Sequence, residues 1–207
     1  MISELDLKMV TLVLDLMGTF VFGLSGAMLA VRHRMDLFGI IVVATAAATA
    51  GGAIRDVALG ATPPNVLSDL RYLGLTLAAG LTAFFLHRFI ERLNKPVMLL
   101  DALGLGTFAI TGSQKGLDYG LSPAAACLIG VLTAVGGGVM RDILVAEPPR
   151  VLSEEIYAVA AIAGSILYVA GIQLGFAPVP TAIAGFVVTV VLRVLSVRLE
   201  WKIPRPR

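Results

Sequence analysis

The chain has 207 residues, of which 57% are apolar and 14% charged, and its mean hydropathy is +0.91. Soluble domains carry about 25% charged residues, so this composition leaves no room for a separate soluble domain. The formal net charge is only +2, and the single cysteine, Cys127, excludes a disulfide framework and a zinc site.

Apolar runs long enough to cross a bilayer recur along the chain. A hydrocarbon core of about 30 Å requires about 20 apolar residues in a helix. The runs between charged or Pro/Gly-rich breaks predict seven spans, which are Met9–Val31, Leu37–Leu59, Leu70–Phe89, Val97–Lys115, Leu121–Val145, Val151–Gln173 and Val179–Val197. We therefore predict an all-α membrane protein that forms one domain over residues 1–207.

Basic residues are distributed unevenly between the two ends of these spans. With the N-terminus outside, the inner segments contain Arg32, Arg34, Arg88, Arg92, Lys95, Arg141, Arg150, Arg198, Lys202, Arg205 and Arg207. The outer segments then contain Lys8, Arg55, Arg71 and Lys115. The positive-inside rule thus predicts a multi-pass protein of the cell (inner) membrane, with its N-terminus outside and its C-terminus in the cytoplasm.

The two halves of the chain repeat one another. The segment Gly51–Asp56 (GGAIRD) recurs 86 residues later as Gly137–Asp142 (GGVMRD). The same offset pairs Asp15 with Asp101, Phe22 with Phe108 and Ser25 with Thr111, and an offset of 85 pairs Pro63–Ser68 with Pro148–Ser153 and Tyr72 with Tyr157. Each half holds three spans, and an odd number inverts the second half relative to the first. We predict inverted repeats over about 9–90 and 97–173, followed by a seventh helix over about 179–197.

Consecutive glycines interrupt the second span of each half, at Gly51-Gly52 and at Gly136-Gly137-Gly138. Glycine disfavours a helix by about 1 kcal/mol relative to alanine and leaves carbonyls accessible. Because unwound backbone at membrane depth must be covered by protein or water, these breaks predict an aqueous path. Its expected hydroxyl lining is Thr45, Thr49, Thr133, Ser25 and Thr111. The alternative is that the glycines only allow close helix packing.

Two Arg-Asp pairs, Arg55-Asp56 and Arg141-Asp142, follow the glycines within a turn. Adjacent residues do not face each other on a helix, so each arginine is expected to pair with an acid elsewhere. The candidates are Asp15 and Asp101. Ionisable groups at membrane depth indicate function, and the alternative is interfacial snorkelling with structural ion pairs.

Lys115 ends the fourth span. A lysine at a pore mouth repels cations or responds to voltage, whereas a lysine at a span end commonly serves as an interfacial anchor. Both interpretations stay open.

The sequence contains no Ser/His/Asp set, no metal-ligand cluster and no Walker loop. We therefore expect no enzymatic activity, catalytic residue, metal or cofactor, and no nucleic-acid partner. Transport would be passive or secondary. The basic C-terminal segment with Trp201 is expected to contact membrane lipids.

The arrangement resembles the trimeric intracellular cation (TRIC) channel family in its prokaryotic branch, over essentially the whole chain. The resemblance rests on the 3 + 3 + 1 helices and on the motifs AGGAIRD and VGGGVMRD. It implies a homotrimer in which each protomer contains a pore. The second and fifth helices, kinked at Gly51-Gly52 and Gly136–Gly138, would line this pore. It also implies conduction of monovalent cations, chiefly potassium. Animal members carry Lys-Glu-Val, linked to lipid binding, where this chain has Arg55-Asp56-Val57.

Two main functions therefore stay open. In a channel, carbonyls and hydroxyls along the path would replace the hydration water of potassium. In a secondary transporter of a small amino acid such as glycine, the helix ends at the same breaks would hold carboxylate and ammonium groups. A purely structural membrane scaffold is a third possibility.

Overall fold

The computed structural model describes residues 4–90, 92, 96–153, 156–199 and 201. Over these residues all regular secondary structure is helical. The helices are α1 (Glu4–Arg32), α2 (Leu37–Ala58), α3 (Asn65–Ser68), α4 (Leu70–Ile90), α5 (Pro96–Asp118), α6 (Pro123–Leu144), α7 (Arg150–Ser153), α8 (Tyr157–Gln173) and α9 (Pro178–Arg198). Lys95, Lys202, Arg205 and Arg207, used above for the orientation, lie outside the described residues.

The seven predicted spans correspond to α1, α2, α4, α5, α6, α8 and α9, most with ends within three residues of the prediction. Six of these described helices are long and apolar enough to cross a membrane. The exception is α8, which has only 17 residues because the segment Arg150–Ser153 forms a separate short helix, α7. The prediction of an all-helical membrane protein is therefore confirmed, with the sixth span shorter than expected.

The turns at equivalent places in the two halves use the same backbone conformation. Positive φ angles occur at Arg34 and Gly120, after α1 and α5, and at Gly60 and Ala146, after α2 and α6. Members of each pair are 86 residues apart. The left-handed region strains a residue with a Cβ, so Arg34 and Ala146 are held there by the fold.

The two halves meet through reciprocal contacts. The rings of Phe22 and Phe108 stack with centroids 5.4 Å apart and an interplanar angle of 16°. Gly18 lies against Phe108, and its repeat counterpart Gly104 lies against Phe22. Two equivalent surfaces thus contact each other symmetrically, as in an isologous interface.

The same reciprocity joins α2 to α6. A Cβ atom added at Gly51 would collide with the carbonyl oxygen of Thr133, and one added at Gly137 would collide with the carbonyl oxygen of Ala47. Both helices run through their glycines without interruption. The predicted unwinding at these glycines is therefore wrong: the missing Cβ atoms let two intact helices approach backbone to backbone.

Candidate functional site

A group of five polar side chains from four helices forms what we call the first cluster: Asp15, Arg55, Asp56, Tyr72 and Lys115. Arg55 reaches Asp15 through Nη1 (3.1 Å to Oδ1) and its neighbour Asp56 through Nε (2.8 Å to Oδ1). Lys115 Nζ lies 2.7 Å from the same oxygen of Asp56. The hydroxyl of Tyr72 donates to Asp15 Oδ2 over 2.5 Å.

The second cluster contains Asp101, Arg141, Asp142, Tyr157 and Ser25. Arg141 donates through Nε to Asp142 (2.8 Å) and through Nη1 to Ser25 Oγ (2.8 Å) and to Asp101. The Tyr157 hydroxyl donates to Asp101 Oδ1 over 3.3 Å. Every residue of this cluster except Ser25 is the repeat counterpart of a residue of the first cluster.

Each arginine pairs with one of the two candidate acids, Arg55 with Asp15 and Arg141 with Asp101. The expectation that an arginine does not contact its neighbour on the helix is wrong, because each guanidinium also bonds the adjacent aspartate through Nε. The long side chain bends back along its own helix far enough to reach that carboxylate.

The aspartates of the two motifs have a further partner that the sequence reasoning missed. Asp56 Oδ2 accepts from the backbone N–H of Asn65, the first residue of α3, over 2.9 Å. Asp142 Oδ2 accepts in the same way from Arg150, the first residue of α7. The signal was the repeated Pro-Pro-x-Val-Leu-Ser segment: after each proline pair the chain turns back, so that a short helix begins on the carboxylate.

The clusters are buried. The first is charge-balanced, and the second becomes so when the neighbouring Arg193 is counted with it. Two carboxylates of the first cluster face Arg55 and Lys115. In the second cluster Arg141 and its two carboxylates are essentially inaccessible, and Arg193 of α9 stacks over the Tyr157 ring, 4.8 Å from its centroid. Isolated buried charges are strongly unfavourable, so each cluster persists as a complete network. Arg193 was missed because α9 has no repeat counterpart.

The first cluster borders a cavity of about 540 Å³. Its lining is Thr11, Leu12, Asp15, Arg55, Asn65, Tyr72, Thr111, Gln114, Lys115, Asp118 and Tyr119. A second, much smaller cavity of about 10 Å³ adjoins the same cluster and is lined deeper in the protein by Thr19, Thr49, Gly52 and Phe108. This volume accommodates about one water molecule. Residues that line a cavity therefore reach from the first cluster to Phe108 of the central phenylalanine pair.

A family model described as "Glycine transporter" matches the chain twice, over residues 12–88 and again over 98–173. Among curated relatives, a UPF0126 membrane protein of Vibrio cholerae is 37% identical over 203 residues, covering 98% of this chain and 84% of that protein. The UPF0126 inner membrane protein YadS of Escherichia coli K12 is 38% identical, covering 92% and 93%.

Solved structures of cation channels share the fold of this chain. A trimeric intracellular cation channel orthologue from Rhodobacter sphaeroides is 34% identical and superposes with a TM-score of 0.85, covering 93% of this chain and 99% of that one. A prokaryotic TRIC channel crystallised in 0.5 M KCl is 31% identical with a TM-score of 0.87, covering 95% and 100%. The chain belongs to the prokaryotic TRIC channel family.

Three of the residues predicted to line a path border the cavities of this TRIC family member. Thr111 lines the large cavity, and Thr49 and Gly52 line the small one. Thr111 also donates to Asp15 Oδ1 over 3.4 Å. Lys115 lines the large cavity while its ammonium contacts Asp56, so it lies within the polar network.

The other predicted lining residues pack between helices in the TRIC fold. Gly136 approaches the Cα of Gly51, and Gly138 approaches the hydroxyl of Tyr157. Thr133 donates to the carbonyl of Ile129 over 2.6 Å, and Thr45 donates to Thr76 over 3.2 Å. Their role as pore-lining residues stays a prediction. Among the residues that the structure describes, no group of three His, Cys, Asp or Glu side chains could hold a metal ion.

Proposed function

We propose that this protein is a cation channel, with potassium as the principal ion, and that the path runs through each protomer by way of the large cavity. The observation that carries the proposal is the large cavity, which is lined by Asp15 and other polar side chains, together with the small cavity that adjoins the same cluster. This cavity is built into a fold shared, at 31–37% identity, with TRIC cation channels.

In this proposal the two repeats are inverted. Each contains three membrane helices, α1, α2 and α4 in the first and α5, α6 and α8 in the second. Opposite orientation follows from the odd number, and the reciprocal contacts at Phe22–Phe108 and between α2 and α6 support a two-fold axis between the halves. The two clusters then occupy opposite ends of the path.

We further propose that the N-terminus is outside and the C-terminus cytoplasmic. His33, after α1, lies 2.9 Å from Glu147, after α6, so these two turns share one side. Arg32 and Arg34 lie at the turn after α1, and Arg150 follows the turn after α6; basic residues at this side favour the cytoplasm. The first cluster and its large cavity then face outward, and the second cluster faces inward.

The assembly proposed is a homotrimer surrounded by membrane lipid, as expected for a relative of a trimeric channel orthologue. Large apolar side chains such as Phe85, Leu128 and Ile183 are exposed on the single chain. In a membrane protein such surface is covered by lipid or by neighbouring subunits. No catalytic activity is part of the proposal.

The alternative of a small amino-acid transporter is suggested by the description of the matching family model. The cavity offers both carboxylates and ammonium or guanidinium groups, which suits a zwitterion. The structural similarity to cation channels favours conduction over this alternative.

The test is potassium efflux from proteoliposomes that contain the purified protein, measured with and without a glycine gradient. A channel predicts potassium efflux that is unaffected by glycine and that falls when Asp15 is replaced by Asn. The matched control is Asp69→Asn, a partly exposed aspartate after α3 that is paired with the exposed Arg71. Saturable glycine uptake without potassium efflux would instead establish the transporter.

A further inference from the structure

We propose that Leu105 and Val135 form an apolar seal that closes the path between its centre and the second cluster, and that hydration of this seal opens the path. The inference rests on the proposed conduction path and assigns the closing element to particular side chains. It is carried by a difference between the two repeats.

The difference lies next to the central phenylalanine pair. In the first repeat, Thr19 and Thr49 line the small cavity between the first cluster and Phe108. The residues 86 positions later are Leu105 and Val135. At the two positions where one half of the path has hydroxyls, the other half therefore has aliphatic side chains.

These aliphatic side chains are packed. Leu105 is 0% exposed and belongs to an apolar cluster with Phe22, Ala134 and Tyr157, against which Val135 also packs. On the other side, Phe108 lines the small cavity and stacks on Phe22. The cavities that border the first cluster therefore end at the phenylalanine pair, and apolar packing follows it. Constrictions of this kind gate channels by excluding water.

Two polar atoms of the second cluster, which lies beyond the seal, could form hydrogen bonds with water. In the first cluster, Asp15 Oδ2 accepts a hydrogen bond from Tyr72. In the second, Tyr157 bonds Asp101 Oδ1, while Asp101 Oδ2 and Arg141 Nη2 have no hydrogen-bond partner among the described residues. Buried polar atoms of this kind are usually satisfied by internal water. A hydrated state of the second repeat would satisfy both atoms. Apolar packing therefore stabilises the sealed state, and solvation of these polar atoms stabilises the hydrated state.

The first test exchanges residues between repeats. Leu105→Thr installs the residue that the first repeat uses at this position, and Val135→Thr does so with almost unchanged side-chain volume. Each variant should raise potassium efflux from proteoliposomes severalfold. The control is Leu128→Thr on the exposed face of α6, which should match the parent protein. Efflux of both seal variants at the level of this control, in protein that elutes normally from gel filtration, would overturn the proposal.

The second test needs no ion flux. In a Cys127→Ser background, a membrane-impermeant charged thiol reagent is applied to Ala134→Cys, within the apolar cluster, and to Gln114→Cys, in the large cavity. Gln114→Cys should react in every background, whereas Ala134→Cys should react only when Leu105→Thr is also present. Equal reaction of Ala134→Cys without Leu105→Thr, or protection in its presence, would refute the seal. The predicted labelling pattern without any potassium efflux would support the seal and refute the channel.

Discussion

Replacement of Gly51 by alanine tests the close contact between α2 and α6. The added Cβ would collide with the carbonyl oxygen of Thr133 and would also lie 3.1 Å from the carbonyl carbon of Thr133 and 3.3 Å from the amide nitrogen of Gly137. Ordinary C···O contacts are no closer than about 3.3 Å, so the helices must separate by roughly 1 Å. Overpacking of this kind costs about 1–3 kcal/mol.

The adjacent Gly52 provides a matched control. A Cβ atom there would have its nearest neighbour at 3.6 Å, the Nη2 atom of Arg55, which is ordinary contact. Gly52→Ala should therefore be neutral or gain up to about 1 kcal/mol of helix propensity. Gly74→Ala, with nothing within 4 Å, should behave similarly.

The assay is thermal unfolding in detergent, followed by circular dichroism. A chain of this size loses about 2–4 °C of melting temperature for each kcal/mol. Both substitutions gain the same helix propensity and only Gly51→Ala overpacks, so Gly51→Ala should unfold several degrees below Gly52→Ala. Equal melting temperatures for Gly51→Ala and Gly52→Ala would refute the assignment of these glycines to a helix contact.

Three further predictions concern the clusters and the turns. Arg141→Gln leaves Asp101 and Asp142 buried without their shared cation, and should lower the unfolding free energy by about 3–5 kcal/mol, which thermal unfolding measures. The control Arg71→Gln, which removes an exposed pair, should leave the melting temperature unchanged. Lys115→Gln leaves Asp56 bonded to Arg55 and to the N–H of Asn65, so the melting temperature should change little. Potassium efflux should rise because a positive charge is removed from the path. A fall in efflux would contradict the proposed position of Lys115 in the path. Ala146→Gly relieves a left-handed residue (φ 58°) and should stabilise the protein by about 1 kcal/mol, whereas Gly60→Ala at the equivalent turn should destabilise it.

Most of the fold could be predicted from the sequence because a bilayer imposes a length on its helices. Apolar runs of about 20 residues located all seven long helices. The sixth was misjudged because Val151 and Leu152 continue the apolar run, although they belong to α7. Local hydropathy does not show that the chain turns back after Pro148-Pro149.

The charged sites were predictable where the repeat duplicated them. The repeat indicated Asp15 and Asp101 as candidate partners of the two arginines but left the pairing open. The structure pairs Arg55 with Asp15 and Arg141 with Asp101. Arg193 could not be found in this way, since it lies on the one helix without a counterpart.

The glycines show where sequence reasoning reached its limit. A helix that unwinds and a helix that packs against another backbone both require residues without a Cβ. Only the position of the partner helix distinguishes them, and that position is a tertiary property. At Gly51 and Gly137 the partner is a carbonyl oxygen of the opposite repeat.

Single-channel recording in planar bilayers tests the central claim, that ions pass through the large cavity of each protomer. The protein used carries Cys127→Ser and Gln114→Cys, and a positively charged thiol reagent is added after current steps are established in potassium chloride. We expect discrete potassium currents whose amplitude falls on modification, while Leu128→Cys, on the exposed face of α6, is unaffected. Current steps that do not change after complete modification of Gln114→Cys, or the absence of any current steps, would contradict this account.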